Sequence, residues 1–399
     1  MRVSTQMIHE RGAQSMLRQQ AALLETQQQL GSGRRISRAA DDPASSAAAL
    51  RGDQALSRIR ILESNQATAT ASFNLGESAL SEAVDLVQSA QELMIAAQSP
   101  VLKSADRATL ADRLDDLAQQ LLAVGNSRDG SGAYMFGGFA DQGPPFAQIP
   151  GGVTYAGDDG GRELEVAPGR MLGLSAAGSD VFMRIKNGNG VFATAATADN
   201  SGGGMIDTGA VVDASALTGR SYALSFSAAG AGVTYDVTDT TTGTLVSSGN
   251  AFAPGQSITV AGMRVSISGA PAAGDSFSIT PAVNRSVFQT LGDAAAALRS
   301  GASAGVRAST VNSALAGMGQ ALDRVLSVQS EFGSRLAEIE AHQRAASGAA
   351  IEHERRLSDL RDLDYASASA RLAREQLTLE AAQQTFAKVS RLSLFDYMR

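Results

Sequence analysis

Between Val311 and Leu360 an apolar or small side chain returns every third or fourth residue. The seam runs Val311, Leu315, Met318, Leu322, Val325, Gln329, Phe332, Leu336, Ile339, Gln343, Ala346, Ala350, His353, Leu357, Leu360. A stripe this long exceeds what one globular face needs and predicts a helix that packs along its length. A similar pattern runs from Pro43 to about Gln98, with Leu62, Ala69, Phe73, Leu80, Val84, Val87 and Met94 on a 4-3 alternation. That helix would be roughly 80 Å long at about 1.5 Å per residue. A shorter stripe, Leu110, Leu114, Leu117, Leu121 and Val124, lies between the stop signals Ser99-Pro100 and Gly125-Asn126, and is expected to fold back antiparallel to it. Both ends of the chain repeat the theme. Met16, Leu23 and Leu30 are spaced by sevens, with Ala13, Leu17 and Leu24 alongside. Tyr365, Leu372, Leu379 and Phe386 are spaced by sevens too, with Ala368, Ala382 and Val389 three residues on and Leu392 beside the stripe. The seam changes register near Asp364, as at a stutter or a hinge.

The middle of the chain has another texture. From about residue 129, "GAYMFGGF" and "GVTYAGDDGGRELEVAPGR" alternate with period two between Gly-Asp turns and read as β-hairpin. Further alternating runs occur at 221–228, 233–239, 257–260, 264–268 and 276–280. Turns at that spacing predict a small antiparallel β domain, sandwich or barrel, at 186–283. Asn284 is a candidate N-cap where helix resumes.

The predicted fold is therefore α+β and multidomain. N- and C-terminal regions form a long antiparallel coiled-coil rod, with a β-hairpin region and an inserted antiparallel β domain. The boundaries read as 1–42 with 362–399 for a terminal helical domain, 43–185 with 284–361 for the helical rod with its hairpins, and 186–283 for the insert. Helix, break and helix on either side of the β region make a nearly palindromic order that would bring the two termini to one end.

The first break is "LGSGRRISRAADDPA", residues 30–44. Gly31 and Gly33 can take the positive φ that ends a helix after Leu30. Asp41 or Asp42 would cap the next helix, with Pro43 at its favoured first position and carboxylates at the positive dipole end. Arg34, Arg35 and Arg38 can pair with those aspartates or with a neighbouring subunit.

Composition narrows the possibilities. Of 399 residues 44% are hydrophobic but only 5% aromatic, and tryptophan is absent, which favours helical seams of Ala, Leu and Val. A net charge of −7 argues against a nucleic-acid surface. With no cysteine there can be no disulfide, thiol nucleophile or cysteine metal site. No stretch approaches the ~18 apolar residues of a membrane span. The N-terminal segment has neither an apolar core nor an A-x-A site, so it does not read as a Sec-type signal; a cytoplasmic protein, or export by a route without a cleaved signal, fits.

Candidate chemistry is sparse. His9, His342 and His353 share no ligand or nucleophile spacing, and His353 lies on the seam, where packing explains it. Asp41-Asp42 could work as paired carboxylates, but their place at a helix start favours a cap. Asp158-Asp159-Gly160-Gly161 could hold calcium, but its alternating flanks favour a hairpin turn. Asn187-Gly188-Asn189-Gly190 lacks the strand-to-helix context of a phosphate loop. Asn284-Arg285-Ser286 matches a glycosylation sequon and reads more simply as a helix start. No catalytic, cofactor or metal residues are assigned. At the termini the stripes lack partners within such short segments, so an assembly surface is favoured there.

"LGSGRRISRAADDPA" resembles the signature of the bacterial flagellin superfamily, L-x-S/T-G-x-R-I followed by D-D before a long helix. The start "MRVST", the stretch "YMFGGF…PPF…GVTYAGDDGGRELEVAPGR" and the end "LRDLDYASASARLAREQLTLEAAQQTFAKVSRLSLFDYM" narrow the likeness to the hook-associated family of the hook–filament junction. True flagellins usually end in an N-V-L-S-L-L-R-like stretch. The resemblance covers 1–182 and 284–399, and more weakly the insert. It implies a structural protein of the bacterial flagellum, secreted unfolded through the flagellar type III apparatus. It would form a layer between hook-associated protein 1 and the flagellin filament. The implied partners are those two proteins, other copies of the chain and a cytoplasmic export chaperone, with no cofactor, nucleic acid or membrane. The expected assembly residues are Met16, Leu23, Leu30, Arg34, Arg35, Asp41, Asp42, Leu372, Leu379, Phe386, Leu392 and Phe395. A filament flagellin is the alternative within the class. A flagellum-borne enzyme active in the β domain is the alternative outside it, and that domain shows no cluster at catalytic spacing.

Overall fold

The computed structural model describes residues 5–130, 132–230 and 232–397. It divides into two compact units, a terminal one ending at Ser64 and resuming at Ala341, and a central one, Asn65–Glu340. The long helices α2 (Pro43–Ala97) and α5 (Ala304–Arg361) contribute residues to both.

In the central unit, α2 places its strict-sevens set Phe73, Leu80, Val87 and Met94 in the core, all nearly solvent-free. They share it with Leu114 and Leu121 of α3 (Ser104–Gly125) and with Met318, Val325, Phe332 and Ile339 of α5. Phe73 and Phe332 meet edge to face, ring centroids 5.2 Å apart, a geometry the aromatic quadrupole favours. Every position of the seam read between Val311 and Leu360 is buried or half-buried. α3 lies against a further helix, α4 (Val287–Arg299), which the stripe reading did not separate from α5. The cap of α4 is Ser286, whose hydroxyl accepts from Gln289 N at 3.0 Å. Asn284, expected to cap, instead sits in a short strand.

Two separate antiparallel hairpins cover one end of this core. They are β1 (Phe146–Ile149) with β2 (Gly152–Tyr155), and β3 (Glu163–Ala167) with β4 (Arg170–Gly173). Asp158–Gly161 therefore links two hairpins rather than forming a hairpin turn. Asp158 accepts from the amides of Phe139 (2.9 Å) and Gly160 (2.8 Å), and these hold its carboxyl below the usual range. Asp159 accepts from the Ser179 hydroxyl and pairs with Arg184. Both carboxylates are used within the protein, and among the described residues no group of three His, Asp or Glu could hold a metal ion.

The chain enters and leaves the β domain through paired strands, β5 (Ile185–Lys186) and β15 (Asn284–Arg285). Inside, β6 (Phe192–Ala196), β9 (Tyr222–Ala229), β10 (Gly232–Asp239), β11 (Thr244–Ala251) and β14 (Ser276–Pro281) form an antiparallel sheet in the order β11-β10-β9-β14-β6. A smaller sheet joins β12 (Ser257–Val260), β13 (Met263–Ser268) and β7 (Met205–Ile206), with β8 (Ala210–Val211) also on β13. Alternate residues point inward, as Tyr222, Leu224 and Phe226 do on β9, and build a second core with Val265, Ile267, Phe277 and Ile279. The sandwich also docks on α5. Ile206 N donates to Ser309 Oγ at 3.2 Å. Gly305 meets the Gly204 carbonyl so closely that a Cβ there would collide with it.

Candidate assembly surface on the terminal helices

The terminal unit is built from helix ends and two breaks. α1 (Thr5–Ser32) and α6 (Tyr365–Tyr397) pack together. A Cβ on Gly12 would lie 2.8 Å from the Phe386 ring, and one on Gly33 2.7 Å from the Tyr365 hydroxyl. Those two contacts are three heptads apart on each helix and run in opposite senses, so the pair is antiparallel. Small residues let it close: Ala368 and Thr26 are each 3% exposed.

The first break is set by one backbone conformation. Gly33 has φ +68°, a value that costs an L residue roughly 1–2 kcal/mol. Gly31, the other expected breaker, stays helical. Asp42 is the cap of α2, accepting from Ser45 N at 3.0 Å. The Ser45 bonds, aided by Arg35 at 3.5 Å, hold its carboxyl below the usual range. Asp41 does a different job: its Oδ2 accepts from the amides of Ser37 (3.1 Å) and Arg38 (2.7 Å) and closes the turn.

The second break is a genuine interruption rather than a stutter. α5 ends at Arg361 and α6 begins at Tyr365. Asp364 accepts from Ala366 N (3.0 Å), Ser367 N (3.2 Å) and Ser367 Oγ (2.8 Å), bonds that lower its pKa, those to Ser367 foremost. The two breaks bond to each other. Arg34 and Asp362 form an antiparallel bridge, Arg35 N donates to Arg361 O at 2.7 Å and Leu363 N to Gly33 O at 3.0 Å. The Arg35 guanidinium also reaches Leu360 O at 2.7 Å. One step away, Arg361 clasps both oxygens of Asp53. Sequence reasoning saw each break but not their pairing, because backbone bridges over 300 residues leave no local pattern.

The expected assembly residues fall into distinct positions. Met16, Leu23, Leu30, Leu372, Leu379 and Phe386 are half-buried, as expected of stripes the two helices partly cover for each other. Arg34, Arg35, Asp41 and Asp42 form the paired breaks. Leu392 and Phe395 belong to the last part of α6, whose side chains lie outside the described residues. Apolar side chains outside that set stand in solvent on the same two helices, most fully Leu17 at 65%, Leu24 at 64% and Leu377 at 68% exposure. Leu17 and Leu24 carry a heptad signal of their own, parallel to the Met16–Leu23–Leu30 stripe, which identifies them on a second face of α1.

The family model described as the bacterial flagellin N-terminal helical region matches residues 3–141. One described as the D2-like domain of flagellar hook-associated protein 1 matches 195–281, the sandwich. Among curated relatives, flagellar hook-associated protein 3 of Salmonella typhimurium is 32% identical over 185 residues, 46% of this chain and 58% of that protein. Its Escherichia coli namesake is 25% identical over 396 residues, 99% of both chains. The crystal structure of the flagellar junction protein FlgL from Legionella pneumophila superposes with a TM-score of 0.70 at 30% identity, covering 79% of this chain and 100% of that one. This chain thus matches a solved relative along that relative's whole length, and with the curated relatives of the same name the chain belongs to the flagellar hook-associated protein 3 family.

Proposed function

We propose that this chain is a structural, non-enzymatic component of the bacterial flagellum, the junction layer between hook-associated protein 1 and the flagellin filament. It would leave the cell through the flagellar type III apparatus, its terminal helices held until then by a cytoplasmic chaperone. It would assemble with its own copies through α1 and α6. The observation that carries this reading is the partial cover on those helices. One stripe on each helix is half-covered within the chain, while Leu17 and Leu24 of α1 and Leu377 of α6 stand exposed to solvent. Burying a leucine gives roughly 1.5–3 kcal/mol, so several copies covering these side chains would gain far more than a lone subunit can.

Two observations in cells test this. Fluorescently labelled subunits should appear as one spot at the hook end; labelling along the whole filament would favour a flagellin instead. In a Phe386→Asp strain the charge would face an apolar stripe, which costs several kcal/mol unless it is paired or protonated. Junctions should then fail and unpolymerised flagellin should appear in the medium. Normal filaments from that strain would remove α6 from the assembly surface.

A further inference from the structure

Most arginines of the central unit that reach another element find a carboxylate: Arg170 lies at 2.5 Å from Glu338, Arg285 at 2.7 Å from Asp293, Arg299 at 2.6 Å from Asp112. Arg107 and Arg307 do not follow this rule. They line one cavity of about 290 Å³, between the first turns of α3 and α5 and the sandwich loops around Gly203 and Ser268. Its lining contains no aspartate or glutamate.

The two arginines are placed alike. Each sits on the first turn of its helix and donates back to a carbonyl before that helix, Arg107 to Leu102 O at 2.9 Å and Arg307 to Ala302 O. Such bonds hold a guanidinium in place without neutralising it. Nε of Arg107 is buried and has no hydrogen-bond partner. Arg307 is pushed below the usual arginine range by burial and then by the like charge of Arg107. In a chain of net charge −7, two half-buried cations lining one cavity whose lining holds no acid are an unfavourable arrangement, since like charges repel.

We propose that the Arg107–Arg307 cavity is a binding site for a small oxyanion of the phosphate or sulfate type. Two guanidinium forks match the oxygens of such an anion and bind it with charge-assisted bonds, and the hydroxyl of Ser99 in the same lining can supply a neutral donor. The volume is roughly ten times the ~30 Å³ of a water molecule, which leaves room for the anion with part of its hydration. The ligand would tie α3, α5 and the sandwich together at the place where Gly305 already meets Gly204. The site is independent of the terminal helices, so it stands or falls separately from the junction reading.

Calorimetric titration of the full chain with sodium phosphate, against sodium chloride of equal ionic strength, tests it. Saturable single-site binding is expected, weakened at least about tenfold in Arg107→Gln and in Arg307→Gln, each of which removes a charged fork. Should either glutamine variant fail to fold by circular dichroism, Arg107→Lys and Arg307→Lys keep the charge, lose the fork, and are expected to bind several-fold more weakly. Absence of saturable binding in the natural chain would overturn the proposal. So would undiminished binding in the folded variants, which would mean an adventitious ion only.

Discussion

The central and terminal units use the same heptad vocabulary to opposite ends. The central unit closes its stripes: Phe73, Leu80, Met94, Met318 and Ile339 are wholly buried, and Phe146 packs against Phe182 and Phe288 at 5.6 Å. In the terminal unit the buried apolar side chains, among the described residues, are only Ala49, Leu56, Leu62 and Ala368. Leu17, Leu24, Leu50, Ile61, Ile351 and Leu377 remain exposed. Its helix pair also carries two buried oxygens without partners, Gln19 Oε1 and Glu375 Oε2, each a cost to folding. Periodicity alone therefore does not say whether a stripe is a core or a surface awaiting a partner. The number of helices that can reach it decides.

The contrast is broken most easily in the core. Phe332→Ala removes a ring wedged against Phe73 and should destabilise the isolated chain by about 3–5 kcal/mol in urea unfolding. Leu23→Ala, on the half-covered stripe of α1, should change the same transition by less than about 1 kcal/mol. Equal losses would erase the distinction. Next, limited trypsin digestion of the monomer should cut first at Arg34, Arg35 and Arg371, leaving a core of roughly 45–355, since short helices with few buried contacts open readily. Uniform resistance would mean that the terminal unit is as well stabilised as the central one.

Smaller effects probe the breaks. Gly33→Ala forces an L residue to φ +68° and should cost roughly 1–2 kcal/mol of local stability, read as earlier loss of α1 helicity on heating. Asp42→Asn and Asp364→Asn should lower helical content slightly at neutral pH. Both carboxyls titrate below their ordinary value in the folded chain. Their contribution is thus fully present above the ordinary carboxylate pKa of about 3.9. It fades as pH falls through the lowered folded value. The difference in circular dichroism between natural chain and variants should narrow below about pH 4 and close once the pH is below the lowered folded values. A gap that persists in stronger acid would assign the effect to something other than the charged caps.

How much of this was legible from residues alone follows the range of the forces involved. The heptads, the hinge near Asp364, the cap at Asp42 and strands such as 257–260 are local, and each was visible. β11 was missed because Thr244–Ala251 carries Gly249 and little alternation and is a sheet edge, bonded on one side only. The cap at Ser286 was missed because Asn284 is an equally good capping residue, and only its pairing with Lys186 in the neck strands excludes it. The junction of the two breaks joins Arg35 to Arg361, and no window along the chain contains both. In the candidate surface, stripe residues were legible as apolar and periodic. Which of them the opposite helix covers was not, because that depends on the α1–α6 register fixed by Gly12 against Phe386.

The central claim is that the exposed leucines of the terminal helices become buried when copies assemble. Because the chain has no cysteine, a single one can report on any position. Leu24→Cys and Leu377→Cys should react rapidly with a thiol-specific dye in the monomer and be protected in purified hook–filament junctions. Val246→Cys, at a position 55% exposed on the sandwich edge, should react in both. Undiminished labelling of Leu24→Cys and Leu377→Cys in assembled junctions would contradict the account.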